Sequence, residues 1–276
     1  MKHKKIYFVG GCPRSATSAF SWALAEHTDL TTSAESNFLF YLLRDVTGNP
    51  MDKLINKTSK KHTIFDSYEI AKEVSDGWFN KHEVTLEDYL AYMGEGVKKM
   101  FMQHCDTDIF LEQSPENILI VDKLLLMFPD AKVINMIRDG REVVSSMLKS
   151  GFSAPWSKDF KLACETWNHF AKKGYEFSQK YPNQVINVYQ KDLVYDTENA
   201  VRKVFRFFEL DFESNTVEYL QTKRVNSSYG NDEKNNFKTA KDPALLKQPQ
   251  WEKWTNKEKK QFENIAGETM ALVGLS

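Results

Sequence analysis

A chain of 276 residues, 41% apolar and 27% charged, is long enough to bury a sizeable core and has the make-up of an ordinary soluble globular protein. Its formal net charge of -1 provides no global field for nucleic acid or an anionic membrane, and no segment reaches the length of a membrane span. Cys12, Cys105 and Cys164 are widely separated and the six histidines lack HExxH spacing, which argues against a disulfide framework, a zinc ribbon and a metal site.

The apolar run near the N-terminus, IYFV, is too short for a signal peptide, so the expected setting is cytoplasmic. Short β-rich runs alternate with longer helical ones, which predicts an α/β fold with a mostly parallel sheet. No linker or internal repeat interrupts the pattern, and the chain reads as one domain, 1–276. Strands are predicted at Ile6–Val9, Ile109–Glu112, Lys132–Ile137 and Gln184–Tyr189, the last two β-branched and short like buried parallel strands.

The helices have legible ends. From Thr85 to Gln103, Leu86, Tyr89, Leu90, Met93, Val97, Met100 and Phe101 share a predicted core face. Ser114-Pro115 reads as an N-cap with proline at the first helical position. Asp139 with Glu142 has capping-box spacing, and Gly151 closes that helix. Further helices are predicted over Asp159 to Lys180, ended by Tyr181-Pro182, and over Asn199 to Phe208.

The stretch GGCPRSATSAF, residues 10 to 20, joins the first strand to a helix. Its backbone amides at a helix N-terminus, with the hydroxyls of Ser15, Thr17 and Ser18, make an anion site. A triphosphate loop would read GxxxxGK[ST], but Ala16 and Thr17 stand where the second glycine and the lysine belong. Pro13 and Arg14 also exclude a GxGxxG dinucleotide turn. Arg14 instead puts a guanidinium in the turn, suited to a phosphate oxygen that gains charge as a group departs. A second constellation follows the strand KVINMI: Arg138 at the sheet edge, and Ser146 about two helical turns on. Taken singly, each also fits an incidental arginine or a solvated serine.

The motifs together resemble those of sulfotransferases. GCPRSATS is similar to the family's PRSGTT-type 5′-phosphosulfate loop, and IRDGREVVSSML to its RDPREVVxS-type 3′-phosphate segment. LEQSPEN looks like the EKTPxN segment found between them in carbohydrate and tyrosyl-protein sulfotransferases. VYQKDLVYDTENAVRKVFRFFEL resembles the later YEDL stretch, with Gln190 and Lys191 replacing its Tyr-Glu. VNSSYG and the segment from Trp251 onward look like the late nucleotide-contacting loop and the C-terminal helix.

The resemblance implies a P-loop-NTPase-like parallel sheet flanked by helices, with residues 40–105 as a mainly helical substrate-side insertion. It implies 3′-phosphoadenosine 5′-phosphosulfate (PAPS) as sulfuryl donor, the bisphosphate PAP as product, an acceptor hydroxyl (carbohydrate, lipid-linked or peptidyl) and no metal. By that resemblance Ser15, Ala16, Thr17 and Ser18 cradle the 5′-phosphate and Arg14 stabilises the leaving phosphate. Arg138, Ser146 and Ser228 then bind the 3′-phosphate. Ala16 departs from the family's glycine. Glu112 is the candidate base, with loop binding or orientation of Arg14 as its other reading and His27 and His104 as alternative bases. Trp78, Phe79, Tyr89, Tyr92 and Phe101 are aromatic candidates for the acceptor pocket, and Lys57, Lys60 and Lys61 could meet an acidic acceptor. The competing functions are an ATP-dependent P-loop-type kinase and a catalytically silent nucleotide-binding protein.

Overall fold

The computed structural model describes residues 4–44, 63–73, 77–103, 105–223 and 250–275. In chain order the first elements are β1 (Lys5–Gly11), α1 (Thr17–Leu24), β2 (Leu30–Thr32), α2 (Phe38–Leu43), α3 (Ile64–Glu73), α4 (Trp78–Lys81) and α5 (Leu86–Met102). Then come β3 (Ile109–Glu112), a short 3-10 helix (Pro115–Leu119), α6 (Val121–Met127), β4 (Val133–Ile137) and α7 (Gly140–Leu148). The chain continues with α8 (Phe160–Lys180), β5 (Val185–Tyr189), α9 (Gln190–Tyr195), α10 (Thr197–Phe208), α11 (Asn215–Thr222) and α12 (Asn256–Leu272).

The five strands pair in parallel in the order β2-β3-β1-β4-β5, flanked by helices in the P-loop-like arrangement. Parallel strands need both faces covered. Ile6 and Phe8 of β1 join one apolar cluster with residues of α5, α6, α7, α8 and α12, whereas Tyr7 and Val9 join a second with α1 and α10. Each fully buried side chain of that size contributes about 2 kcal/mol, so the two clusters fix the sheet between its helical layers. β1 lies at the centre, and the chain runs to β2 and β3 on one side before returning to β4 and β5 on the other. Ligands of open α/β sheets sit at such a reversal, beyond the strands' C-terminal ends.

β4 and β5 carry one polar rung. Asn135 Nδ2 donates to Asn187 Oδ1 at 2.9 Å, and Asn187 Nδ2 donates to Ser178 Oγ of α8 at 2.9 Å. Gly174 of α8 passes so near Asn135 that any larger residue would displace it.

The predicted strands all form, and β2 adds a fifth of only three residues. Helix α5 carries a Thr85–Asp88 capping box, but its buried residues are Leu90, Gly94, Val97 and Met102. Gly94 lets the backbone rest on the Met127 carbonyl at the end of α6, and this turns Met93 and Met100 outward, 40% and 54% exposed. Leu86, Tyr89 and Phe101 pack half-buried against the core, as the predicted face requires. Ser114 does precede a proline-led turn, but its hydroxyl makes no cap, because it is bound elsewhere. Asp139 caps α7 by accepting from Arg141 N at 2.9 Å, while Glu142 leaves the expected box to pair with Arg138.

Candidate active site

The register of the sheet brings three loops together. Gly11 of β1 lies opposite Met136 of β4, so Arg14 and Arg138, each a few residues further on, emerge side by side. Phe8 lies opposite Glu112 of β3, and the chain after Glu112 then climbs past Gly10, where a Cβ would meet Ile118 N at 2.9 Å.

The β1–α1 loop has an unusual backbone. Ser15 N donates to the Cys12 carbonyl at 3.0 Å, and both Arg14 (φ 75°) and Ala16 (φ 72°) adopt the left-handed region. For an L-residue with a Cβ that conformation costs about 1 kcal/mol. Glycine would adopt this conformation without that cost, and alanine holds it here. Ala16 provides no side-chain cap, which leaves the first-turn amides of α1 for an anion. Ser15 is wholly buried and its Oγ has no protein partner. A phosphate group fits this cradle of amides and an unsatisfied hydroxyl.

Arg14 reaches across to α7, where its Nε donates to Ser146 Oγ at 3.1 Å. Arg138 NH1 donates to the Arg14 carbonyl at 3.0 Å, while its Nε and NH2 hold Glu142 Oε2 at 3.1 and 3.0 Å. The two constellations are therefore joined by hydrogen bonds. Burial lowers the pKa of the Arg14 guanidinium, Arg138 lowers it further, and Glu35 acts the opposite way. Phe152, half-exposed, lies with its ring 5.6 Å from the Arg14 guanidinium.

The two carboxylates beyond β2 and β3 differ in setting. Glu112 is 2% exposed, and each of its oxygens accepts two hydrogen bonds. Oε1 takes Ser36 Oγ (2.8 Å) and Ser114 Oγ (2.7 Å); Oε2 takes Ser114 N (3.1 Å) and Asn117 Nδ2. Ser114 Oγ also accepts from Asn37 N at 2.8 Å, and Gln113 Nε2 donates to the Ser33 carbonyl. Glu112 thus fastens the 33–37 loop to the end of β3. That loop carries Glu35, which the sequence reading passed over. Glu35 Oε1 accepts one bond, from Ser18 Oγ of α1 at 3.1 Å. Burial raises its pKa above the ordinary carboxylate value, the Ser18 bond lowers it, the Glu112 charge raises it and Arg14 lowers it. Glu35 had no sequence signal of its own; only its place after an unread three-residue strand would have drawn notice.

Nearby, Glu116 is held up to about 7, mainly by burial and then by the charges of Glu35 and Glu112, its own backbone acting the other way. His27 lies away from this cluster: Nδ1 accepts from Asp29 N and Nε2 donates to the Asp211 carbonyl, each at 3.0 Å. It ties the turn after α1 to the segment before α11. Ser228, His104, Lys57, Lys60 and Lys61 lie outside the described residues. Of the predicted acceptor aromatics, Phe101 stacks on Phe110, and Phe79 and Tyr89 cluster with Tyr68. Trp78 and Tyr92 are 53% and 73% exposed. Among the described residues no group of His, Cys, Asp and Glu could hold a metal.

A model of the sulfotransferase family matches residues 7–214, which takes in every one of these loops. The chain belongs to the sulfotransferase family. This sulfotransferase is 24% identical to a putative protein-tyrosine sulfotransferase of Caenorhabditis briggsae, over 76% of this chain and 67% of that one. It is 25% identical to protein-tyrosine sulfotransferase 1 of Danio rerio, over 76% of this chain and 54% of that one. Against an uncharacterized protein of Aquifex aeolicus, also 25% identical, it covers 28% of the relative's length, so the chain spans only part of its curated relatives. In fold it is similar to the sulfotransferase domain of the Synechococcus PCC 7002 olefin synthase, with TM-score 0.60, 18% identity and 98% and 96% of the two chains covered. It is also similar to a mouse sulfotransferase complexed with PAP, with TM-score 0.51, 11% identity and 96% and 84% coverage. Among the described residues no helix is long and apolar enough to cross a membrane.

Proposed function

We propose that this sulfotransferase moves a sulfuryl group from PAPS to an acceptor hydroxyl. The observation that carries the reading is the hydrogen-bonded trio of Arg14, Arg138 and Ser146 beside a phosphate-shaped loop. In the proposal the amides and hydroxyls of Ser15, Ala16, Thr17 and Ser18 hold the 5′-phosphate, while Arg138 and Ser146 hold the 3′-phosphate. Ser228 is proposed to contribute to the same phosphate. The mouse structure with PAP supports this donor, and the loop has no lysine for a triphosphate.

The acceptor oxygen attacks sulfur, and the bond from sulfur to the 5′-phosphate oxygen breaks. Negative charge grows on that oxygen beside Arg14, the cation nearest the loop. The acceptor's proton needs a base. Glu112 was the sequence candidate, but its four donors leave no acceptor position to spare and favour a positioning role. Glu35, with one donor and a raised pKa, is the better placed base. Relatives named for protein tyrosine support a peptidyl hydroxyl as the first acceptor to test, ahead of carbohydrate and lipid-linked ones. Residues 40–105, with Trp78 and Tyr92 exposed, are the proposed acceptor side. All three cysteines are free thiols, which supports a reducing, cytoplasmic setting.

The test is thermal stabilisation by PAP, AMP and ATP without metal, followed by labelled-donor transfer to tyrosine peptides, glycans and lipid-linked alcohols. A ligand at about 100 times its Kd adds ~2.7 kcal/mol, so selective stabilisation by PAP is expected. A shift with Mg-ATP alone overturns the reading. Arg14→Ala should raise the barrier by about 3 kcal/mol, a loss of at least ~100-fold; near-normal turnover would remove Arg14 from the mechanism.

A further inference from the structure

Arg138, the proposed 3′-phosphate ligand, has all three guanidinium nitrogens engaged by the protein. NH1 is held by the Arg14 carbonyl, while Nε and NH2 both face one oxygen of Glu142. Glu142 bonds to Arg138, which ends the β4 side of the turn, and stands four residues before Ser146 on the same face of α7. Both partners are partly open to solvent, with 27% of the Arg138 side chain and 34% of the Glu142 side chain exposed. The carboxylate therefore sits between the two groups assigned to the phosphate, in reach of anything that binds them.

A residue serving only to aim Arg138 need not be charged, because a neutral amide oxygen accepts the same hydrogen bond. The charge itself has a further effect. A phosphate dianion on Arg138 and Ser146 would stand within a few ångströms of the Glu142 carboxylate, in a half-buried place where repulsion is only partly screened. Arg14, bonded to Ser146, and Arg138 supply positive charge to this place, and Glu142 offsets part of it.

We propose that Glu142 is an internal competitor for Arg138 that limits how tightly the 3′-phosphate is held and so sets how fast the bisphosphate product leaves. This rests on the donor reading above. Arg138 is occupied by Glu142 in the free protein and is shared or surrendered when a 3′-phosphate arrives. On departure of the product the carboxylate returns to the arginine. A 5′-phosphate in the β1–α1 loop, held by the loop amides and Arg14 rather than by Arg138, feels the exchange far less.

The experiment uses Glu142→Gln, which keeps the length and an acceptor oxygen and removes the charge. A partly exposed single ion pair contributes well under the stability of the fold, so the variant should remain folded, with melting as the check. PAP and AMP are titrated calorimetrically into both proteins at low and moderate salt, and PAP dissociation is followed by stopped flow. The expected result is a PAP Kd about tenfold lower in Glu142→Gln, carried mostly by slower dissociation, with AMP within twofold. The gain should shrink as salt is raised. Glu142→Asp, shorter but charged, should fall between the two. Unchanged or weaker PAP binding by the glutamine variant overturns the proposal and leaves Glu142 as an orienting group. If the unaltered protein binds PAP no better than AMP, the donor reading fails with it, an outcome read from the unaltered protein alone.

Discussion

The end of β3 and the loop after β2 each present a glutamate to the same few ångströms of the sheet edge. Glu112 has two donors on each oxygen and almost no exposure, whereas Glu35 has one donor and lies half-buried beside Ser18 and within reach of Arg14's field. The contrast teaches that the count of donors, more than the kind of side chain, separates a group that holds a loop from one able to accept a proton. A carboxylate fully hydrogen-bonded while charged gives up that satisfaction on taking a proton.

The largest expected effect comes from breaking this contrast at Glu35. Glu35→Gln should lower turnover by at least about 100-fold while PAP binding, followed by calorimetry, is retained. The comparison collapses if that variant turns over normally. As the proposed base, Glu35 must be ionised to work, so in the unaltered protein the rate should rise with pH through its raised pKa. Glu112→Gln should instead lower stability by about 2 kcal/mol, read as a fall in melting temperature, because buried donors lose a charged acceptor. It should also move the acid limb of the rate profile to lower pH, since the Glu112 charge is one cause of the raised Glu35 value. A limb that stays in place would separate the two groups.

Much of this was legible beforehand, and the reasons differ by feature. Strands such as VINMI and VINVY declare themselves through β-branching, and Arg14, Arg138 and Ser146 through spacing within motifs. The structure then links Arg138 and Ser146 through hydrogen bonds that both make with Arg14. β2 was unreadable because three residues, LTT, carry no period, and with it went the loop bearing Glu35. The α5 stripe was rotated because a glycine reads as a gap in a hydrophobic pattern, yet Gly94 is the contact itself.

Glu116 offers a smaller effect. Its pKa near 7 exceeds the ordinary value of 4.5, so the folded state holds its proton more firmly than the unfolded state. The stability this gives is complete below about pH 4.5 and is lost as pH rises through 7. Glu116→Gln should therefore melt higher than the unaltered protein at pH 8, and the two should converge near pH 4; equal melting at both would show the carboxyl is not held protonated. Smallest is Ala16→Gly, which relieves the left-handed strain but frees the unfolded chain, for a net gain of about 0.5 kcal/mol. A loss of stability there would mean the loop is not held in that conformation.

The rung from Asn135 through Asn187 to Ser178 has a consequence well beyond its own strands. A parallel pair built from valines and isoleucines alone could slide by two residues and still bury the same kinds of side chain on each face. The amide pair acts as a registration mark: any slip breaks it and strands two polar groups in an apolar layer. Because Arg138 begins directly where β4 ends, that mark also decides whether the arginine arrives level with the β1 loop. The alignment of the Arg14 and Arg138 loops is thus encoded in the middle of the sheet, away from the edge where they meet.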